Sequence, residues 1–515
     1  MPFGKSKNSK VLPNADNPLL RDLPRGVEGR VKTRNWLPHQ FFESPEKLAI
    51  DHRYGKRAGE IFLGIANGKT QEVLRSDNRK EYLVDGGTMI GSIDDRHLLT
   101  VAGSRSGKGR SAIIPNLLTY DGSVFSIDPK GDHARLTARH RAEVLGQKVC
   151  IVDPFGLMPE SLQPYVKRFN PLSILPYDSP TIVEDAGLIA SALIIPEGKD
   201  PHWHESARAL VEGLILHVAT GYQFIREERT LPTVYDLIAG RIVTLKKLWE
   251  EMLDNNCLEG RIATAAQIIK DKEPPERSGI ISTVRRNLKF LDYDPIRETL
   301  DGSDFEFEDL KREKLTIYMC LPVMRMTTCS PLLRVGVNLT LAAMERTQSP
   351  HQAPVLTILD EFPVLGHMQE LETAIGYMAG LGVKLWIFLQ DISQLQALYN
   401  KRWETFVGNA GVIQAFGNSE LATTEFMSKR LGQTVVSVIN QSSVSRDQRN
   451  QQGATGMNQN QQVQSLLTAE EISQYFARDD YLCRQLIIQP GKRPWVLQRA
   501  NYDHHSSFKN LILDT

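Results

Sequence analysis

The feature that most constrains this chain is a glycine-rich stretch at residues 101–109, which joins an apolar run to a predicted helix. Leu98 to Ala102 is typical of a buried strand, and the helix is predicted to begin near Arg110. Glycines let a backbone curl so that its N–H groups point inward, and a helix N-terminus adds partial positive charge. Lys108 could then reach the outer phosphates of a nucleotide. The stretch therefore predicts a phosphate-binding loop.

The loop departs from the strict phosphate-loop pattern at two positions. Ala102 stands where the first glycine is usual, and Gly109 stands where a serine or threonine hydroxyl ordinarily binds magnesium. An ordinary glycine turn with a surface lysine is the alternative at this point, and the rest of the chain must decide between the two. The candidate nucleotide contacts are Gly103, Ser104, Arg105, Ser106, Gly107, Lys108, Gly109 and Arg110.

The composition is that of a globular protein with a large core. The chain has 515 residues, of which 41% are hydrophobic, and 61 basic residues balance 61 acidic ones. Its overall charge therefore neither favours nor excludes a nucleic-acid partner. The five cysteines are scattered through mostly apolar runs, as expected of thiols in a reducing compartment. No stretch approaches the ~18 consecutive apolar residues of a membrane-spanning helix, and no secretory signal opens the chain, so we expect a cytoplasmic protein.

Hydrophobic periodicity divides the chain into segments of different kinds. Residues 1–57 are rich in Pro, Asn and basic residues and predict an extended arm, either a solvated leader or a contact for DNA, anionic lipid or a neighbouring subunit. Residues 58–169 and 302–515 alternate strand-like and helix-like runs, which predicts an α/β domain with a central, mostly parallel sheet flanked by helices. Residues 170–301 carry helical stripes alone and predict an inserted all-α domain. The Gln-, Asn- and Ser-rich residues 441–464 predict a flexible loop.

Polar residues stand at the predicted ends of two further strands. The apolar run 354–360 ends in Asp360, and Glu361 follows it directly. The run 383–390 ends in Gln390. Because the C-terminal ends of parallel strands collect ligand-binding residues, these side chains should meet the glycine loop at one sheet edge. There Asp360 would hold Mg²⁺ and Glu361 would orient and deprotonate the attacking water. Gln390 would sense the γ-phosphate of ATP or position water, and the alternative for it is a simple polar strand cap. For Asp360 and Glu361 the alternative is an ordinary strand end, because strands that end in Asp-Glu are common.

A series of short motifs runs in order from about residue 60 to the end of the chain. They are the loop at residues 102–109, Ile114 to Leu118, Asp128 to Asp132, Asp153 to Phe155, Trp203 to Arg208, Leu359 to Phe362, and Leu389 to Leu395. This series resembles the TraG/TraD-type coupling ATPases of conjugative type IV secretion, in a form that lacks the N-terminal transmembrane helices usual in relatives.

The resemblance implies a RecA-like motor that assembles as a homo-hexameric ring and hydrolyses ATP with Mg²⁺ between subunits. It implies that the ring delivers single-stranded DNA, with its bound relaxase or another secretion substrate, to the components of a secretion channel. The inserted all-α domain would recognise the cargo, and the protein would lie in the cytoplasm or peripherally at the inner membrane through its partners. Some motor relatives have an arginine that acts across the subunit interface, where this chain has Ala379 and Gly380. That arginine is therefore unassigned, with Arg402 and Arg430 as candidates.

Two other functions fit the same residues. A stand-alone DNA pump or defence ATPase of FtsK/HerA-like character would have the same motor fold but would work outside a secretion system. A nucleotide-gated recruitment adaptor would bind ATP to order the helical domain with little turnover, and the missing hydroxyl at Gly109 favours it. The sequence leaves both open beside the coupling ATPase.

Overall fold

The computed structural model describes residues 19, 40–75, 78–196, 202–348, 353–441 and 457–513. Its strands are β1 Ile61–Ala66, β2 Lys69–Leu74, β3 Lys80–Asp85, β4 Thr88–Ser92, β5 His97–Ala102, β6 Val124–Asp128, β7 Lys148–Val152, β8 Leu315–Cys320, β9 Val355–Leu359, β10 Val383–Leu389, β11 Ala410–Phe416, β12 Gln433–Gln441, β13 Met457–Ser465, β14 Arg484–Ile488 and β15 Trp495–Gln498.

Helices connect and cover these strands. The α-helices are α1 Pro45–Asp51, α2 Ile114–Thr119, α3 Asp132–Arg139, α4 Ile182–Leu193, α5 His202–Thr220, α6 Leu231–Ala239, α7 Leu245–Asp254, α8 Arg261–Lys270, α9 Pro274–Leu288, α10 Asp294–Leu300, α11 Asp309–Arg312, α12 Val323–Arg346, α13 Gln369–Ala374, α14 Ile392–Tyr399, α15 Trp403–Gly408, α16 Leu421–Leu431 and α17 Ala469–Tyr475. Short 3₁₀ or π turns occupy Gly109–Ile113, His140–Val144, Glu160–Tyr165, Pro171–Ile174, Arg226–Glu228, Cys257–Gly260, Lys289–Asp292, Phe362–Leu365, Met378–Leu381 and Asn400–Arg402.

One sheet of eleven strands forms the centre of the fold, in the order β4-β1-β15-β14-β11-β5-β10-β9-β6-β8-β7. From β11 to β7, neighbouring strands are parallel. From β11 to β4, they are antiparallel. The predicted fold class, a mostly parallel central sheet flanked by helices with an added helical domain, is confirmed.

The central strands are apolar on both faces because helices cover both. Along β10, Leu385 and Ile387 belong to one hydrophobic core, and Trp386 and Phe388 belong to the other. This alternation follows from the two-residue period of a strand. It explains why the strand reads as one continuous apolar run rather than as alternating polar and apolar residues.

Helices alone lie between β7 and β8 among the described residues, from the turn Pro171–Ile174 to helix α10. Within this insertion α5 packs against α4, α8 and α9, and α4 packs in turn on α12 of the sheet domain. Their buried residues belong to the same core that lines one face of the sheet. No helix in the described ranges combines the length and apolar character needed to cross a lipid bilayer.

The arm predicted at residues 1–57 is not extended throughout. Residues 45–51 form α1, which begins with Pro45 in its first turn and with Ser44 accepting a hydrogen bond from the Lys47 amide. Leu48 is fully buried against the sheet domain. The cap and the buried leucine fix a helix here, whereas the prediction rested on the basic and proline-rich composition of the whole segment. Apart from residue 19, residues 1–39 lie outside the described residues.

The flexible loop predicted at residues 441–464 is wrong at both ends. Residue 441 closes β12 and residues 457–464 belong to β13, and the two strands pair in antiparallel register. The polar composition concealed this because backbone hydrogen bonds, which any residue can make, hold the ladder together. Residues 442–456 lie outside the described residues.

Candidate functional site

The glycine loop is held between β5 and the helical segment that follows it. The Gly103 amide donates to the Phe416 carbonyl at 3.3 Å, and a Cβ added to Gly103 would lie 2.0 Å from the Gly417 oxygen. The Ser106 amide closes the turn by donating to the Gly103 carbonyl at 3.1 Å. Gly107 then takes a φ of +91°, in the left-handed region that favours glycine. The backbone therefore curls tightly, and residue 103 must be glycine.

The far side of the loop is open. A Cβ added to Gly107 or Gly109 would meet nothing within 4 Å. These positions lie at the start of the helical segment 109–119, whose first N–H groups lack partners within the helix. An open backbone surface at a helix N-terminus suits a phosphate, so this part of the chain fits the predicted ligand.

Lys108 reaches across the loop to the end of β9. Its Nζ lies 2.9 Å from Asp360 Oδ1 and 2.9 Å from Glu361 Oε1. Burial alone would lower the pKa of the Lys108 ammonium, but the charges of the two carboxylates outweigh burial and the pKa is raised. Lys108 is therefore a charged group held by two anions. It can exchange a carboxylate oxygen for an oxygen of an anionic ligand.

Glu361 is held in an unusual backbone conformation between Lys108 and Gln390. Its φ of 52° and ψ of 44° lie in the left-handed region, which is uncommon for residues other than glycine. Gln390 Nε2 donates to Glu361 Oε2 at 3.2 Å, while Lys108 contacts Oε1. Residues that outlie the usual conformations cluster at functional sites. The structure thus brings Lys108, Asp360, Glu361 and Gln390 together at the carboxyl edge of the sheet.

A buried histidine that the sequence analysis did not assign lies behind Asp360. His133 Nε2 is 3.8 Å from Asp360 Oδ2, and its Nδ1 is 3.0 Å from Ser126 Oγ and 4.0 Å from Asp128 Oδ1. Asp128 is the last residue of β6 and is 1% exposed. The rule that selected Asp360, a carboxylate at the end of a buried strand, would also have selected Asp128. His133 has no comparable local signal.

Not every predicted loop residue faces this edge. The Arg110 guanidinium turns away and pairs with Glu81 at 2.6 Å and with Asp503 at 2.6 Å. Ser104 and Arg105 are exposed, and the buried Ser106 Oγ has no hydrogen-bond partner among the described residues. Arg110 therefore joins β3 to the C-terminal segment, a contact that the sequence did not predict.

A cavity of about 370 Å³ adjoins the outer side of the loop. Its lining includes Arg105, Ser106, Gly107 and Arg110 from the loop, and Arg499 from the C-terminal segment. Arg499 is buried and donates to the Ser106 carbonyl at 2.9 Å. The loop therefore has space beside it and a buried arginine fixing its backbone.

Arg334 of α12 connects this edge with the helical insertion. Its guanidinium is 2% exposed and donates to the Leu365 carbonyl at 2.6 Å and to the Ala192 carbonyl at 2.9 Å. Leu365 ends the 3₁₀ turn that follows Glu361, and Ala192 lies near the end of α4. One buried side chain thus contacts both the segment after the acidic pair and the insertion.

Comparison with known proteins identifies the family to which this chain belongs. The family model described as "Type IV secretory system Conjugative DNA transfer" matches residues 39–512. The chain is 28% identical to the conjugal transfer protein TraG of Escherichia coli, over 66% of this chain and 55% of that protein. It is 24% identical to the type IV secretion system-coupling protein VirD4 of Bartonella quintana (strain Toulouse), over 79% of this chain and 62% of that protein. These matches span little more than half the length of the curated relatives.

Solved structures with the same fold include the bacterial conjugative coupling protein TrwBdeltaN70 in its unbound monoclinic form. The TM-score is 0.64 at 17% identity, over 92% of this chain and 96% of that chain. TrwB in complex with the ATP analogue ADPNP gives a TM-score of 0.62 at 17% identity, over 92% of this chain and 97% of that chain. TrwB with ADP and Mg²⁺ gives 0.62 at 16% identity, over 92% and 96%. At sequence identities of 16–17%, this structural similarity shows that the chain and TrwB share a fold.

Proposed function

Because the chain belongs to the type IV secretory system conjugative DNA transfer family, we propose that it is a coupling ATPase, which binds ATP with Mg²⁺ and uses hydrolysis to move DNA. One observation carries the proposal: Lys108 lies 2.9 Å from both Asp360 and Glu361 beside an open glycine loop. The TrwB complexes with ADPNP and with ADP and Mg²⁺ support it, because they have the same fold.

Each side chain at the sheet edge has one role in this proposal. Lys108 exchanges its carboxylate partners for β- and γ-phosphate oxygens and stabilises the charge that develops on them. Asp360 would hold Mg²⁺, which would supply further neutralising charge to the phosphates. Glu361, released from Lys108, orients a water molecule and accepts its proton, and Gln390 responds to the γ-phosphate through its contact with Glu361.

The loop backbone supplies the rest of the phosphate site. Residues 103–110 supply the proposed contacts, and the tight turn at Gly103 together with the open positions Gly107 and Gly109 suits them. The Gly103 and Ser106 amides already donate to the Phe416 and Gly103 carbonyls, so the N–H groups for phosphate come from the other residues of the loop. Arg110 contributes its backbone, because its side chain is engaged with Glu81 and Asp503. A preformed cradle of this kind binds phosphate without a large rearrangement of the loop.

We propose that the cargo is single-stranded DNA with an attached relaxase or another secretion substrate, and that components of a type IV secretion channel receive it. The names of the relatives, conjugal transfer protein and secretion system-coupling protein, support this choice. In the proposal the chains form a homo-hexameric ring and hydrolyse ATP between neighbours, in the cytoplasm or peripherally at the inner membrane through partners. Contacts to DNA phosphates make binding sensitive to salt and weakly dependent on sequence.

The test is ATP turnover with and without a single-stranded oligonucleotide, for the parent chain and for Lys108→Ala and Glu361→Gln. Single-stranded DNA should raise the turnover of the parent, and each substitution should lower turnover about 100-fold or more. Lys246→Ala is the matched control, because this lysine is 88% exposed on α7 and should leave turnover unchanged. Turnover that survives both site substitutions rejects the assigned site.

The same assay separates the coupling ATPase from a nucleotide-gated adaptor. Gly109 has no hydroxyl to offer a metal ion, and this is the observation that favours an adaptor. An adaptor would retain ATP tightly, turn it over little and show no stimulation by DNA. Stimulated turnover by the parent chain therefore excludes the adaptor.

A further inference from the structure

Glu361 stands at the start of a turn that fixes its backbone. Its carbonyl accepts from the Val364 amide at 2.9 Å, which closes the 3₁₀ turn Phe362–Leu365. The φ of Glu361 is 52°, in the left-handed region. Because this conformation costs free energy in a residue other than glycine, the surrounding structure has to hold it in place. The direction of the Glu361 carboxylate therefore depends on what anchors the turn.

Contacts at both ends anchor this turn. At its start, the buried Phe362 ring stacks on Tyr399 of α14, with 6.1 Å between the ring centroids. At its end, Arg334 Nη1 donates to the Leu365 carbonyl at 2.6 Å and to the His367 carbonyl at 2.8 Å. An apolar contact has no preferred direction, whereas a hydrogen bond fixes the position of its acceptor. The contact with Arg334 is therefore the one that orients the end of the turn.

The other nitrogens of the same guanidinium bind the helical insertion. Arg334 Nε donates to the Ala192 carbonyl at 2.9 Å, and Nη2 donates to the Ser191 carbonyl at 3.3 Å. Both carbonyls lie in the last turn of α4, where a helix leaves its C=O groups without partners inside the helix. A cation at this end also opposes the negative pole of the helix dipole. One side chain thus attaches the end of α4 to the turn after Glu361.

The arginine side chain is suited to this double contact. Its guanidinium is planar and carries its N–H groups in a fixed fork, so the bonds to the two segments are geometrically linked. Burial also makes each bond costly to lose, because an unpaired polar group inside a protein is not compensated by water. A shift at the end of α4, which packs against α5 of the insertion, would therefore turn the fork and move the Leu365 end of the turn.

We propose that Arg334 is a positioning residue, which holds the turn after Glu361 so that the carboxylate faces Lys108 and Gln390. Its bonds go to backbone carbonyls outside the glycine loop. Because the same guanidinium binds α4, the position of the insertion sets the alignment of Glu361. The insertion thereby acts on hydrolysis rather than on nucleotide affinity. This inference rests on the proposed function, in which Glu361 orients water and accepts its proton.

Two substitutions of Arg334 test the role. Arg334→Met removes all of the bonds, and Arg334→Lys keeps the charge on a single nitrogen, which cannot bind both segments. Maximal ATP turnover should fall about 10- to 100-fold in both, because misplacing a catalytic group by about 1 Å can cost up to about 100-fold. Affinity for ADP with Mg²⁺, measured by titration calorimetry, should equal that of the parent or rise, since a displaced Glu361 competes less for Lys108. A general loss of stability would weaken binding as well.

Asn338→Ala is the matched control on the same helix. Asn338 lies one turn further along α12, is as buried as Arg334, and donates from Nδ2 to the Leu188 carbonyl of α4 at 3.1 Å. The substitution loosens α12 from α4 and leaves the bonds to Leu365 and His367 in place, so turnover should match that of the parent. An equal loss of turnover in this variant would assign the effect of Arg334 to general packing and overturn the proposal.

A double-mutant cycle with Glu361→Gln shows whether Arg334 acts through Glu361. In the Glu361→Gln background, Arg334→Met should lower turnover no further, because no carboxylate is left to position. A further drop as large as that in the parent background would place the action of Arg334 elsewhere. Full turnover in either single variant of Arg334 would also contradict the role.

Hydrogen exchange reports the same contact without turnover. Peptides that contain residues 362–368 should exchange about tenfold faster in Arg334→Met than in the parent, and at the parent rate in Asn338→Ala. Unchanged exchange in Arg334→Met would overturn the proposal, and if that variant does not fold, Arg334→Lys decides the same comparisons. A parent chain that hydrolyses no ATP would reject the proposed function. Hydrogen exchange and the ADP titration would then still decide whether Arg334 holds Glu361 against Lys108.

Discussion

Replacing Glu361 by glutamine should strengthen nucleotide binding and nearly abolish turnover. Without nucleotide, the Lys108 ammonium is bound by both Asp360 and Glu361, so phosphate oxygens must displace carboxylates before they engage it. Glutamine has nearly the same shape as glutamate, and removes one of the two charges that compete with phosphate. It also removes the carboxylate that would accept the proton of water. Binding and turnover should therefore change in opposite directions.

The burial of the pair sets the size of the binding effect. The Lys108 and Glu361 side chains are 17% and 29% exposed. The exposure of this pair is intermediate between that of surface ion pairs and that of buried ones. Surface pairs contribute about 0.2–1 kcal/mol to stability, and the disruption of a buried pair costs about 3–5 kcal/mol. An intermediate value of about 1–2 kcal/mol corresponds to about 5- to 30-fold tighter binding. Loss of a general base should lower turnover by about 10²–10⁴-fold.

Titration calorimetry with ADP and with a non-hydrolysable ATP analogue, both with Mg²⁺, measures the first effect. Phosphate release under saturating ATP measures the second. Glu404→Gln is the matched control, because it makes the same chemical change at an exposed carboxylate on α15 and should alter neither quantity.

The two halves of the reasoning can fail separately. If Glu361→Gln binds ADP as the parent does, or more weakly, the Lys108 ion pair does not compete with phosphate. If turnover is unchanged, Glu361 is not the group that accepts the proton. Tighter binding with normal turnover would support the competition between Glu361 and phosphate for Lys108, and it would refute the role of Glu361 as proton acceptor.

Three further predictions concern the loop and the core. Gly103→Ala should abolish nucleotide binding, because the new Cβ would lie 2.0 Å from the Gly417 oxygen, whereas Gly109→Ala meets nothing within 4 Å and should bind normally; equal affinities in a binding titration would contradict this. Burial lowers the pKa of His97 from 6.5 to about 4. The unfolded chain therefore takes up a proton first as pH falls, and folding should lose about 3 kcal/mol between pH ~6.5 and ~4. Urea unfolding should show a shallower pH dependence for His97→Gln, and an unchanged dependence would refute the assignment. Arg141 is fully buried and donates to backbone carbonyls and to two side-chain oxygens. Arg141→Met should cost about 3 kcal/mol or more by leaving acceptors unpaired, and a Tm equal to that of the parent would contradict this.

The sheet was predictable because its strands carry a local signal. β9 and β10 are short, uninterrupted apolar runs, each followed by polar residues, as expected of strands buried on both faces. The same signal predicted that Asp360, Glu361 and Gln390 would share an edge with the glycine loop, since parallel strands end on one side. Strands of this kind can be predicted from neighbouring residues alone, without knowing which distant residues are in contact.

The parts that the sequence did not predict depend on distant partners or on backbone bonds. Arg110 was assigned to the ligand because it follows the loop, yet its partner Asp503 lies 393 positions away. Strand β13 is almost wholly polar and the apolar residues of β12 do not alternate, so no periodic pattern marks the β12–β13 ladder. His133 acquires its place behind Asp360 only when β6 and β9 pair.

The contacts of Arg334 limit how proteins of this architecture can be recombined. Its guanidinium binds carbonyls of both the insertion and the sheet domain, although it belongs to a helix outside residues 170–301. A chimera that exchanges those residues alone must hold the backbone carbonyl of residue 192 in the same position, or a buried cation is left partly unsatisfied. Chimeras that exchange α12 together with residues 170–301 keep the contact between Arg334 and the Ala192 carbonyl within one parent, so they should fold more readily than chimeras that exchange residues 170–301 alone.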